Sequence, residues 1–173
     1  KNTLLGFQAG YGLAQSASHN IAIGSNSGAG AGGISTGDNN INIGPSAGNH
    51  QTTGSDNIAI GNKAGFEGTE NEKNVNIGVE AGLKGTTGSD NNVHIGTQAG
   101  YNSNGSMNMF TGYKAGYNND TGSNNVFMGT QAGYENTTGN KNIGIGFETG
   151  YKNSTGSKNI LIGDEAGREG GSA

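Results

Sequence analysis

Apolar residues along this chain come in pairs separated by one position, and each pair is followed by glycine. The nine-residue unit N-h-x-h-G-x-x-[AST]-G, with h usually apolar, recurs ten times. Its leading residue falls at Asn2, Asn20, Asn40, Asn57, Asn74, Asn92, Asn108, Asn125, Asn142 and Asn159. Successive units start 16 to 20 residues apart, most often 17. A fixed period of this length is the signature of a repeat architecture in which each unit is one turn of a stack.

The h positions, such as Ile58 and Ile60 or Val93 and Ile95, have the two-residue period of a β-strand and are mostly β-branched. Of the twenty, only Thr3 and Thr111 are not apolar. Both h side chains therefore share one face, which is expected to be the buried one. The residue between them, Leu4, Ala22, Asn42, Ala59, Asn76, His94, Phe110, Phe127, Gly144 or Leu161, takes the opposite face. The glycines, with a small residue before the second, read as corners of a narrow coil. The polar remainder, often N-x-T-G-S as at Asn119 to Ser123, is turn chemistry.

The predicted fold is all-β: a β-roll or β-solenoid of about ten 17-residue coils spanning residues 1–168, with 169–173 as a tail or linker remnant. At about 4.8 Å per coil the rod is roughly 45 to 50 Å long. The leading Asn closes a local turn or stacks on its equivalents. We expect the second, a structural ladder of Asn20, Asn40, Asn57, Asn74, Asn92, Asn108, Asn125, Asn142 and Asn159.

Composition sharpens this picture. Of 173 residues 36 are Gly, and only 29% are hydrophobic. That is little apolar material with which to offset the entropy of ordering the chain. A second apolar surface is needed, and the off-face strand positions are one source. Another is the column after the second Gly: Tyr11, Phe66, Leu83, Tyr101, Tyr117, Tyr134 and Tyr151. Packing of such columns around an axis predicts a parallel homotrimer. Tyr101, Tyr117, Tyr134 and Tyr151 are thus candidates for interchain contact, or for stacking on the sugars of a glycan.

A net charge of -4 supplies no basic stripe for nucleic acid, and no apolar run is long enough for a membrane span. The chain opens mid-pattern at Lys1 with no signal peptide, as expected of a segment cut from a longer protein. The absence of Cys excludes disulfides and thiolate metal sites and is compatible with export.

No catalytic, cofactor or metal site is expected. His19 and His50 fall in turns and His94 on a strand's off-face, each reading as a surface or interface residue. Asp38, Asp56 and Asp90 recur singly near the leading Asn; the glycine-rich aspartate repeat of a calcium-binding roll is missing, so they read as solvated turn acids. Gly28 to Gly33 lacks the Lys and following helix of a phosphate loop and reads as an insertion. Thr52, Thr86 and Thr137 raise an ice-binding reading, which the repeats lacking such a Thr break. Irregular repeats around 29 to 36 and 67 to 73, with Glu67, Glu70, Glu72 and Lys73, are the first places to seek a binding loop.

Asn20-Ile21-Ala22-Ile23-Gly24 and Asn57-Ile58-Ala59-Ile60-Gly61 resemble the core repeated in YadA-like heads of trimeric autotransporter adhesins. Asn125 to Gly133, with Tyr134 and Asn136-Thr137-Thr138-Gly139, is similar to repeats of bacterial and phage tail-fibre proteins. The resemblance runs from Asn2 to about Gly167 and implies three coiled chains around one axis. It also implies an extracellular location at a cell surface or in a virion fibre, and attachment to a glycan or outer-membrane protein of a target cell. YadA-like repeats are nearer fourteen residues, so the extra polar turn is a departure. Two function classes follow: a passive shaft, phage tail-fibre shafts included, and an adhesive head. A solitary glycan-binding or ice-binding solenoid is the alternative.

Overall fold

The computed structural model describes residues 1–30, 35–85 and 88–169. The insertion core at 31–34, Thr86 of the ice-binding reading and the remnant at 170–173 lie outside the described residues. Each repeat contributes one three-residue strand: β1 (Thr3–Leu5), β2 (Ile21–Ile23), β3 (Ile41–Ile43), β4 (Ile58–Ile60), β5 (Val75–Ile77), β6 (Val93–Ile95), β7 (Met109–Thr111), β8 (Val126–Met128), β9 (Ile143–Ile145) and β10 (Ile160–Ile162). The ten form a single sheet in sequence order, every pairing parallel. The repeat thus sets the register. Ile41, Ile58 and Val75 lie in line across three strands, and insertions are absorbed in the turns. The chain is a β-solenoid.

Hydrogen bonding continues around the coil beyond the strands. The N–H of Gly100 donates to Ala115 O and that of Asn102 to Tyr117 O, both at 2.9 Å, one coil on. Each strand ends in a turn, closed in the seventh coil by the Ala115 N–H donating to Gly112 O at 3.3 Å. Gly112 has φ of +133°, and a Cβ there would lie 2.5 Å from Gly129 O of the next coil. Only glycine lets the coils stack at this corner.

The structure corrects the expected placement of the core. The interior is filled by the middle residues of β2 to β8: Ala22, Asn42, Ala59, Asn76, His94, Phe110 and Phe127 are all buried, whereas Leu4 in the terminal β1 is exposed. Beside them runs a second buried column of small residues, including Ala64, Ala99, Ala115 and Ala132. The paired h residues face outward instead; Ile95 is 39% exposed and Ile162 66%, against 0% for Phe110. The reason is parity. The leading Asn lies two residues before the middle residue and so shares its face, and the buried Asn side chains supply the bonds between coils. The off-face column is therefore each coil's own core and offers no surface for another chain. His94 is correspondingly an interior residue, not a surface or interface one.

Candidate functional site

Two ladders of side-chain-to-backbone bonds hold successive coils. In the first, the Oδ1 of each leading Asn accepts the N–H of the next, from Asn20 to Asn40 at 2.8 Å through Asn125 to Asn142 at 2.9 Å and on to Asn159 at 3.0 Å. The Nδ2 donates to a carbonyl in the turn of the next coil, as from Asn108 to Gly122 O at 2.9 Å and from Asn125 to Gly139 O at 2.8 Å. The ladder runs through Asn57, Asn74 and Asn92 in the same way. Each Asn thus satisfies two buried main-chain groups that a narrow coil shields from water.

The second ladder has the opposite polarity and was not anticipated from sequence. Its members sit two residues before the leading Asn. The Ser123 N–H donates to Asn140 Oδ1 at 2.8 Å, and the Asn140 N–H to Ser157 Oγ at 2.9 Å. Asp38 and Asp90 belong to it, accepting from the N–H groups of Ser18 at 2.6 Å and Glu72 at 2.8 Å. Asp56 accepts from Asn39 Nδ2 at 3.0 Å. These acids tie turns together, and among the described residues no three metal-ligating side chains converge. The recurrence of Ser, Asp or Asn at one register was the available signal.

The aromatic column is a continuous stack. Tyr101 to Tyr117, Tyr117 to Tyr134 and Tyr134 to Tyr151 have ring centroids 4.8, 5.0 and 4.9 Å apart, with planes within 10° of parallel. Lys84 lies 5.3 Å from the Tyr101 centroid and Arg168 lies 5.6 Å from that of Tyr151. The faces on which a sugar would stack are thus taken by other tyrosines and by cations. Burial raises the phenol pKa of Tyr134, an effect partly offset by the Lys114 ammonium. The column makes contacts within its own chain.

Inside, His94 stacks on Phe110 at 5.3 Å and Phe110 on Phe127 at 5.4 Å. His94 Nδ1 lies 2.8 Å from Asn76 Oδ1, and Nε2 is buried without a partner. Burial lowers the imidazole pKa to about 3, so the ring is neutral at physiological pH. His50 packs against Phe66 at 4.3 Å, while His19 is a turn residue with φ of +60°. The Thr52 and Thr137 hydroxyls donate to the main-chain carbonyls of Thr69 and Ser154, at 3.0 and 2.9 Å, and so are engaged within the coil stack. In the irregular repeat, Glu72 pairs with Lys73 at 3.3 Å on the surface.

Among the described residues two exposed features extend over many coils, beside single exposed side chains such as Phe7, Tyr113 and Phe147. One is the outward strip of mostly β-branched side chains, half-buried along β2 to β5 and exposed in β9 and β10. The other is a groove of about 540 Å³ lined by polar side chains of successive coils, from Glu67 and Lys84 to Thr137 and Ser154. No known protein family, curated protein or solved structure matches this chain. Function therefore rests on these two features and on the repeat itself.

Proposed function

We propose that this chain is a segment of a homotrimeric fibre, carried at a cell surface or on a virion, that projects or makes contact with a target cell. The observation behind the reading is the outward strip. Nine steps of about 4.8 Å make it roughly 43 Å long. Its side chains are apolar in every coil except for Thr3 and Thr111, and they stand in register. A contiguous apolar surface of this extent marks an interaction face. Three copies set around an axis parallel to the rod meet strip to strip, each coil facing its equivalents at the same height. The strip then becomes the second apolar surface that the sparse composition calls for. The number three comes from the resemblance of the Asn-Ile-Ala-Ile-Gly units to trimeric adhesin heads.

The regular interior and the two ladders favour a shaft, with any adhesive contact made along its sides. The reading is non-enzymatic, because His94 is a core residue and the turn acids serve the ladder. Light scattering of the purified chain tests it. The expected mass is three times 17.3 kDa, and a folded monomer refutes the trimer.

A further inference from the structure

We propose that the groove beside the tyrosine stack binds an extended, uncharged or amine-bearing polysaccharide running parallel to the rod. The inference deepens the adhesive side of the fibre reading and rests on it for biological context, but it does not require three chains.

The groove lies between two rows of side chains that repeat once per coil. Lys84, Asn102, Asn118 and Glu135 form one wall, the last three each directly following a tyrosine of the stack and Lys84 following Leu83 at the same register; Asp120 and Thr137 belong to the other. From Glu67 to Ser154 the lining residues come from six successive coils, which is about 24 Å of rod. The walls are held in place before any ligand arrives. Asn102 Nδ2 donates to Asn118 Oδ1 at 3.0 Å and Asn104 Nδ2 donates to Asp120 Oδ1 at 3.0 Å. The rings of Tyr101, Tyr117 and Tyr134 stack one residue behind the first wall.

Planar amides and carboxylates are paired donors and acceptors that match vicinal sugar hydroxyls. Two coils rise by about 9.6 Å, close to the disaccharide repeat of an extended β-1,4-linked chain, in which successive pyranoses are turned over. A sugar polymer laid along the groove therefore presents equivalent hydroxyls to equivalent side chains at every second coil, and the six coils that line the groove meet the same pattern more than once. Charge narrows the class. Glu67, Asp120 and Glu135 face a single Lys84 among the lining residues, so sulfated or uronic-acid polymers are repelled while neutral and amino sugars are accepted.

The test is calorimetric titration of the intact 173-residue chain with cellohexaose, chitohexaose and maltohexaose, its mass being measured on the same samples. The extended β-linked hexamers are expected to bind and to bind better than their dimers, whereas maltohexaose, whose α-linked chain curves away from the wall, is not. The double variant Asp120→Ala/Glu135→Ala removes only groove side chains and is expected to weaken binding at least about tenfold. Asn118→Trp, which fills the groove, abolishes it. An unchanged circular dichroism spectrum and mass show that these variants fold. Absence of binding by both β-linked hexamers at millimolar concentration overturns the proposal, as does equal binding of maltohexaose or unaltered binding by the folded variants. A trimer that binds no hexamer sinks the groove alone, and a monomer that binds sinks the trimer alone.

Discussion

Asn108 Oδ1 accepts the main-chain N–H of Asn125 at 2.9 Å, across one coil boundary, while Asn108 Nδ2 reaches Gly122 O at 2.9 Å. One buried side chain thus closes two main-chain valences of its neighbour. Asn108→Ala strands the Asn125 N–H in a dry interior and is expected to cost about 2 to 4 kcal/mol. Asn108→Asp keeps the acceptor but loses the donor and buries a charge, and should cost at least as much at pH 7. Chemical denaturation checks both, and equal stability of Asn108→Ala and the parent would remove the ladder from the account.

The corners separate glycines that are required from residues that are merely tolerated. Gly112→Ala drives a Cβ to 2.5 Å from Gly129 O at φ of +133°, so a loss of about 3 kcal/mol or more is expected. Lys141 sits at φ of +59° without being glycine. Lys141→Gly should stabilise the chain by about 0.5 to 1 kcal/mol, the left-handed strain relieved less the extra backbone entropy of glycine. Thermal melts of the two variants should move in opposite directions.

His94 makes the fold acid-sensitive. The unfolded chain protonates this imidazole near its ordinary pKa of 6.5, whereas the folded chain does so only near about 3. Stability is therefore fully present above pH 6.5 and falls as pH drops through that interval, by up to about 1.4 kcal/mol per unit. His94→Phe with Asn76→Ala copies the residues of Phe110 and Ala59 and leaves no unpaired amide. Denaturant midpoints from pH 7 to pH 4 should flatten in the double variant, and a slope unchanged from the parent would assign the acid sensitivity to other groups.

Phe127 and Gly144 fill one space between them. A Cβ on Gly144 would lie 2.9 Å from the Phe127 ring, and Thr149 replaces the usual Ala in that coil, with Cγ2 3.6 Å from the same point. Phe127→Ala should cost about 3 to 5 kcal/mol. Gly144→Val should destabilise the parent yet recover part of the loss in Phe127→Ala, a coupling that a double-mutant cycle measures.

The outward strip gives the sharpest test of assembly. Ile77→Asp places a carboxylate on the proposed contact between copies and leaves the coil interior untouched. Sedimentation should show the trimer giving way to monomer with the β spectrum retained. Loss of the fold without a monomeric stage would mean that the coil and the assembly form as one unit.

The period, the strand alternation and the glycine corners were all legible in the order of residues, because each depends only on local backbone geometry repeated along the chain. From them followed the all-β solenoid with one coil per repeat. Which strand face turns inward was not legible. Alternation is symmetric: Ile58 and Ile60 or Asn57 and Ala59 could equally have lined the coil, and hydrophobicity alone chose the wrong pair. Tertiary structure decided for the asparagines, since a coil narrow enough to bury Ala64 entirely has main-chain groups that water cannot reach, and an inward Asn satisfies them. The tyrosines were likewise legible as a column but not as a stack. Only the parallel, in-register rise of the coils brings their rings within 5.0 Å, where each covers the face of the next.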